Sequence, residues 1–204
     1  LLCDYQLAFP GCSPFERANA LLLKGDALKA VSPPRQEEAG QCIREAVAIA
    51  EHERPRSSMD AEIYPHALIH LGEHLCHAEQ DFEGAIDALT TVLDIYDTRY
   101  KFGELPDRFV AAQILSQIGS AYCGIDQRTG GAEQKAQGLW FCNQSISVYR
   151  KALEEHIRFR PASAEPIFLN AAFVYHYYKE YDTALALIDE VAQMQPAGDP
   201  LTPQ

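Results

Sequence analysis

The stretch EPIFLNAAFVYHYYKEYDTALALIDEVAQMQP, residues 165 to 196, decides the fold class of this chain. Bulky and small residues recur in it at helical spacing, with Phe168, then Ala172, then Tyr175. Small residues let two antiparallel helices approach each other, and large ones fill the volume that remains between them. Pro196 cannot continue the second helix. The stretch therefore predicts a pair of antiparallel helices joined by a short turn.

Three earlier segments repeat this pattern more loosely. Gly25, Gly72 and Gly119 stand at the place of Ala172, and the successive spacings are 47, 47 and 53 residues. Taken with residues 165–196, the pattern resembles the tetratricopeptide repeat. The spacings exceed the common repeat length of about 34 residues. The chain is therefore similar to the extended-repeat members of that family, such as kinesin light chains and Pins-like adaptors.

Helical spacing of apolar residues continues along nearly the whole chain, and alternation of period two is not found. Proline, glycine and weaker breaks near Gln80 and Lys179 cut the sequence into eight segments. The predicted fold is all-α, a tandem array of helix-turn-helix repeats, or α-solenoid, with about four helix pairs. The alternative is an irregular helical bundle in which one segment matches the repeat by accident. The predicted divisions are an N-terminal extension 1–14, a repeat domain 15–196 with pairs at about 15–53, 58–98, 106–159 and 163–195, and a C-terminal tail 197–204.

Composition limits the partners. The chain has 29 acidic and 17 basic residues, which give a formal net charge of −12. That charge repels phosphate backbones and anionic lipid surfaces, so we expect no direct nucleic-acid binding and a partner protein with a neutral or basic surface. No apolar run reaches the eighteen or so residues that a membrane helix needs, so no membrane span is predicted.

Cysteine usage predicts the compartment. The six cysteines form no CxxC pair and are too sparse for a disulfide scaffold, so we expect buried thiols in the cytoplasm or another reducing intracellular compartment. The first residues, LLCDYQLAFPGC, contain neither a basic segment nor an uninterrupted apolar stretch, and they predict no signal peptide.

Four histidines recur within one predicted helix. His66, His70, His74 and His77 fall within an arc of about 80° at 100° per residue, and Glu73 lies beside them. Histidines four residues apart can share one Zn²⁺, which makes a metal site the first hypothesis. A single helix seldom completes a tetrahedral shell, and the HExxH motif is absent. We therefore predict no bound metal and a polar face that contacts a ligand peptide or water.

Motifs for catalysis are missing from the sequence. There is no GxSxG nucleophile motif and no glycine-rich phosphate loop. We predict that the protein is not an enzyme and has no cofactor and no catalytic residues.

The resemblance implies a binding site in the concave groove, which the first helix of each pair lines in tetratricopeptide arrays. The residues at the family's groove positions are Asn19, Leu22 and Asp26 in the first pair, His66, Ile69, His70, Glu73 and His77 in the second, Gln113, Ser116, Gln117 and Ser120 in the third, and Leu169, Asn170, Phe173 and His176 in the fourth. Chaperone-binding members hold a terminal carboxylate there with Lys and Arg. Those places carry neither here, so chaperone-tail binding is not expected.

Three functions remain open on the sequence. The favoured one is an adaptor or scaffold that binds a partner peptide or helix in the groove. A permanently incorporated subunit of a larger assembly is the alternative, and a metal-dependent enzyme or regulator that uses the histidine face is the least favoured. We also expect an exposed apolar patch of Leu187, Ile188 and Val191 at the C-terminal end, covered by another chain, a second copy or further sequence.

Overall fold

Eight α-helices account for most of the residues that the structure describes. The structure is a computed structural model, and it describes residues 7, 9, 11–100, 105–155 and 164–194. The helices are α1 (Pro14–Ala30), α2 (Gln36–His52), α3 (Ser58–His74), α4 (Phe82–Tyr100), α5 (Leu105–Thr129), α6 (Ala132–Glu155), α7 (Ala164–Tyr177) and α8 (Tyr181–Met194). A π-helical turn, Leu75–Glu79, follows α3. These ranges contain no strand, and the predicted all-α class with successive helix pairs is confirmed.

Local sequence explains where several helices begin. Ser13 precedes α1, and its hydroxyl accepts a hydrogen bond from the backbone N–H of Glu16 at 3.2 Å, while the Glu16 carboxylate accepts from the N–H of Ser13 at 2.8 Å. Ser57 accepts from the N–H of Asp60 at 3.1 Å before α3. Such caps satisfy N–H groups that have no partner within the helix, and each contributes about 1 kcal/mol.

Left-handed residues end the first helix of three pairs. Gln80 follows the π-helical turn with φ 56°, Gly130 follows α5 with φ 67°, and Lys179 follows α7 with φ 64°. A single residue in this conformation reverses the chain after a helix, so short connections suffice. The predicted weak breaks near Gln80 and Lys179 coincide with two of these residues.

The chain divides into two compact units, residues 1–99 and 100–204. Each unit has its own apolar core. The core of the first unit is built from α1, α2 and α3, with Phe15, Leu22, Ile43 and Ala67 among its buried side chains. The core of the second unit is built from α5 to α8, and Tyr149, Phe168, Val174 and Leu187 are among its members.

Glycines stand where paired helices approach most closely. A side-chain carbon placed on Gly25 would lie 3.1 Å from Cγ1 of Ile43, and one placed on Gly72 would lie 2.7 Å from Cγ of Leu89. Both distances are shorter than ordinary carbon contacts of about 3.5–4.0 Å. The interpretation that these positions must be small for the helices to pair is confirmed.

A third helix lies across each of two pairs. In the first unit α3 contacts both α1 and α2, and in the second unit α7 contacts both α5 and α6. The packing of α7 is specific. Ser116 of α5 donates to the backbone carbonyl of Ile167 at 3.5 Å, Tyr175 donates to Oδ1 of Asn143 on α6 at 2.6 Å, and the ring of Phe168 meets that of Tyr149 edge-on at 5.5 Å.

The predicted apolar patch at the end of the chain is only partly correct. Leu187 and Val191 are 4% and 8% exposed and belong to the core of the second unit, so the prediction that they are exposed is wrong. Together with Ala184 they form the face of α8 that packs inward, because residues three and four apart share one side of a helix. Ile188 lies on a different side and is 45% exposed.

Candidate functional site

An open groove runs between α7 and α8 in the second unit. On the α7 side it is lined by Leu169, Phe173 and His176, which follow one another at intervals of four and three residues. This spacing places the three side chains along one side of the helix. All three are exposed, and Phe173 is 60% exposed. They are three of the residues that the repeat pattern assigned to the ligand groove.

The α8 side repeats the same spacing with Tyr181, Leu185 and Ile188. Ala172 and Ala184 form the floor, because each is 4% exposed and has too small a side chain to fill the space. The groove has a volume of about 400 Å³ and an almost entirely apolar lining. The ring of Tyr181 meets that of His176 edge-on at 5.4 Å across one end.

Exposed apolar side chains are concentrated in this groove. Of the eleven large apolar side chains that are exposed among the described residues, five line it. They are Leu169, Phe173, Tyr181, Leu185 and Ile188. Scattered apolar residues are normal on a protein surface, whereas a contiguous patch of this kind marks an interaction site.

The outer edge of the groove is acidic. Asp182 and Asp189 are exposed and seven residues apart, which places them on one flank of α8. Each directly follows a groove residue, Tyr181 and Ile188 respectively. The groove therefore combines an apolar floor with negative charge along its α8 edge.

A polar cluster joins α1 to α3 in the first unit, and it contains three more of the predicted groove residues. Asp26 Oδ1 lies 3.2 Å from Nδ1 of His70, and Nε2 of His70 lies 3.1 Å from Nε2 of His66. Asp26 accepts from the Nδ1–H of His70, so Nε2 of His70 accepts in turn from His66 when both rings are neutral. Burial, and then the nearby His70, lower the pKa of His66.

His74 does not belong to the exposed histidine face, and the prediction that placed it there is wrong. It is 3% exposed, and its Nε2 lies 3.0 Å from Oε1 of Glu79, which also pairs with Arg44 of α2. Viewed along the axis of α3, His74 points in nearly the same direction as Ile63 and Ala67. It therefore belongs to the side of the helix that packs inward. A side chain at Gly40 would collide with its ring. Sequence reasoning missed the contributions of Arg44 and Glu79, which come from elements that the histidine pattern does not include.

The remaining predicted groove residues divide by exposure. Leu22, Ser116 and Gln117 are buried, and their assignment to an open groove is not supported by their positions. Ser116 is buried because its hydroxyl supports the contact with α7 described above. The others are Asn19 and His77, which are exposed, and Ile69, Glu73, Gln113, Ser120 and Asn170, which are half-buried, and none of these seven lines the α7–α8 groove. The charge of Glu73 acts on His66 of the Asp26 cluster and opposes the lowering of its pKa.

Tyr181 and Leu185 were not predicted as site residues. The repeat pattern assigns ligand contacts to the first helix of each pair, whereas these two residues belong to the second helix. The sequence does contain a pattern that indicates them. In α8 the apolar residues 181, 185 and 188 form a second row beside the inward-facing residues 184, 187 and 191. An amphipathic helix with so wide an apolar arc has more apolar surface than one neighbouring helix covers.

The part of the chain that the structure describes contains neither a cluster of metal ligands nor a membrane-spanning helix. Among these residues no group of three or more His, Cys, Asp or Glu side chains could hold a metal ion. None of the described helices has the length and apolar character that crossing a membrane requires.

Comparison with known proteins identifies a similar solved structure but no family. No protein-family profile matches the sequence, and no curated protein matches it. Among solved structures, the chain is similar to the one described as the crystal structure of BtubC (BKLC) from P. vanneervenii, with 12% sequence identity and a TM-score of 0.45. The alignment covers 100% of this chain and 89% of that one.

Proposed function

We propose that this protein is a protein–protein interaction module of the tetratricopeptide kind, and that it binds its partner on the groove between α7 and α8. The observation that supports the proposal is the convergence of five exposed large apolar side chains on one groove of about 400 Å³. Burying one such side chain completely contributes about 1.5–3 kcal/mol, so a protein that covers the groove gains a substantial part of its binding free energy there.

The Asp26, His66 and His70 cluster is proposed as a second contact surface, on the first unit. It offers carboxylate and imidazole groups that can hydrogen-bond to a peptide. Such groups determine register and specificity more than affinity. The apolar groove is therefore the part of the proposal that accounts for binding strength.

A matched pair of leucine variants tests this function. Leu185 lies in the groove and is 59% exposed, and Leu23 lies on α1 in the first unit and is 51% exposed. Both variants, Leu185→Ser and Leu23→Ser, remove a similar exposed apolar area. We expect partners that the unaltered chain captures from an extract of its source cells to be lost with Leu185→Ser. Leu23 lies three residues before Asp26, beside the second contact surface, so Leu23→Ser should reduce capture much less than Leu185→Ser. Equal capture by both variants would contradict the proposed site.

The alternative, a permanently incorporated subunit, is supported by the same exposed apolar area, since stable interfaces are more apolar than transient ones. Light scattering on the purified chain separates the two functions. An adaptor remains a monomer in isolation, whereas a subunit that has lost its neighbour associates through the groove. Leu185→Ser restores the monomer in the second case.

A further inference from the structure

We infer that the occupant of the α7–α8 groove is an amphipathic α-helix of a partner protein with lysine or arginine residues along one flank. This inference rests on the proposed function, and it adds the conformation and the charge of the partner segment.

The packing within each unit supports a helix as the occupant. In the second unit α7 lies across the pair formed by α5 and α6, and in the first unit α3 lies across the pair formed by α1 and α2. The helix pair α7 and α8 presents the corresponding groove on its other side. Because a helix covers the preceding pair in both units, the shape that suits this groove is that of a helix.

The side chains of the groove match a helix in spacing as well. Leu169, Phe173 and His176 form one ridge, and Tyr181, Leu185 and Ile188 form the other. The first and last residues of each ridge are seven positions apart, or about 10 Å along the helix axis. Ridges of this kind accept the apolar side of a helix, with residues at intervals of three and four inserted between them. About two to three turns of partner helix cover that length.

The charges beside the groove determine the charge expected of the partner helix. Asp182 and Asp189 border the α8 edge over about 10 Å, and Lys179 and Glu180 stand together in the turn at one end. The described groove edge is therefore acidic, and the whole chain carries a formal net charge of −12. A helix with basic residues on the flank that faces Asp182 and Asp189 meets complementary charge along its length.

Synthetic helical peptides provide the test. The first peptide has an apolar stripe of leucines at helical spacing with lysines along one flank, in about 15 residues. The second carries glutamates in place of those lysines, and the third has the composition of the first in an order that has no apolar stripe. Fluorescence anisotropy measures the affinity of each peptide for the full chain, for Leu185→Ser and Leu23→Ser, and for the double variant Asp182→Asn/Asp189→Asn.

We expect the lysine peptide to bind more tightly than the other two, and to lose binding with Leu185→Ser but not with Leu23→Ser. Exposed ion pairs are weak, so the double variant should lower the affinity for the lysine peptide by roughly threefold to tenfold. Added salt should lower the affinity of the unaltered chain by a similar factor. If the lysine and glutamate peptides bind with equal affinity, the inferred charge of the partner is wrong. If the peptide without an apolar stripe binds as tightly as the lysine peptide, the inference that the occupant is an amphipathic helix is wrong.

Other occupants give distinct results. Dimerisation that Leu185→Ser abolishes would show a second copy in the groove, and tighter peptide binding after removal of residues 195–204 would show that this chain's own segment competes for it. Either result contradicts the inferred partner. If none of the peptides binds while Leu185→Ser still removes the cellular partners, the inference fails and the proposed function stands. If Leu185→Ser also leaves capture unchanged, both fail.

Discussion

Gly119 of α5 and Gly138 of α6 lie against each other without side chains between them. A side-chain carbon placed on Gly119 would lie 3.1 Å from the carbonyl oxygen of Gly138, and one placed on Gly138 would lie 3.2 Å from the carbonyl oxygen of Gly119. The carbon on Gly119 would also lie 2.6 Å from Sγ of Cys142. The two helices therefore approach backbone to backbone, which only glycine permits.

This contact predicts that Gly119→Ala destabilises the second unit. The added methyl group meets the buried Sγ of Cys142 and the carbonyl oxygen of Gly138, and that backbone oxygen cannot move without shifting a helix. We therefore expect a loss of about 1–3 kcal/mol in the free energy of unfolding. Gly131→Ala is the control, because its methyl group meets the movable end of the Gln134 side chain and makes an ordinary contact of 3.6 Å with Oγ1 of Thr129. Urea denaturation of both variants measures the difference. Equal stability of the two variants would refute the close packing of α5 on α6.

The sequence predicted much of this fold because each helix pair needs small residues at fixed places. Gly25, Gly72 and Gly119 were identified from their spacing, and each faces the second helix of its pair. The site was predicted less well. Groove positions taken from the repeat pattern describe one helix of each pair, whereas the α7–α8 groove depends equally on Tyr181 and Leu185.

Burial was the other property that the sequence pattern did not determine. His74 and Ser116 are polar residues on helices with wide packed sides. In the buried state Nε2 of His74 pairs with Glu79, and the hydroxyl of Ser116 donates to the backbone carbonyl of Ile167. Glu79 lies five residues from His74 in the sequence, and Ile167 lies fifty-one residues from Ser116. The helical spacing of apolar residues does not predict either pairing. Only the tertiary structure brings them together.

The buried His74 makes the stability of the first unit sensitive to acid. Burial lowers the pKa of His74 below its value in the unfolded chain, against the opposing effect of Glu79, while Lys29 and Arg44 lower it further. The unfolded state then binds more protons, so the unfolding free energy falls as the pH falls through the unfolded pKa of about 6.5.

Thermal unfolding at pH 7.5 and pH 5.5 measures this dependence. We expect the melting temperature to fall at the lower pH, and to fall less in His74→Gln, which cannot take up the proton. His66, whose pKa is lowered mainly by burial, adds a dependence of the same sign and remains in that variant. His52→Gln, at an exposed position, should keep the full dependence. The same pH dependence in His74→Gln as in the parent chain would rule out the assigned role.

The histidines of α3 should not hold a stoichiometric metal. Nε2 of His66 and Nε2 of His70 are close enough to share one ion, but His74 faces Glu79 instead and supplies no third imidazole. Two ligands on one helix leave half of a tetrahedral zinc shell to water. Elemental analysis of protein purified without chelator should find far less than one zinc per chain. About one zinc per chain, lost on His70→Ala, would refute this prediction.

The described cysteines should react with thiol reagents in two groups. Burial raises the pKa of Cys76 to about 11 and that of Cys142 to about 12, whereas Cys12 and Cys42 are partly exposed. Only the thiolate attacks such reagents, so at pH 8 we expect iodoacetamide to modify Cys12 and Cys42 first. Mass spectrometry of peptides follows each site over time. Modification of Cys142 at the rate of Cys12 in the folded protein would show that the core of the second unit is open.

The central claim, that another protein covers the groove between α7 and α8, is tested most directly by photo-crosslinking from within it. A benzophenone amino acid replaces Phe173 in one protein and Trp140 of α6 in the other, where the side chain is also exposed. After irradiation in an extract of the source cells, position 173 should form a covalent adduct with a second protein, and Leu185→Ser should abolish it. An adduct from position 140 alone, or equal adducts from both positions, would contradict the claim.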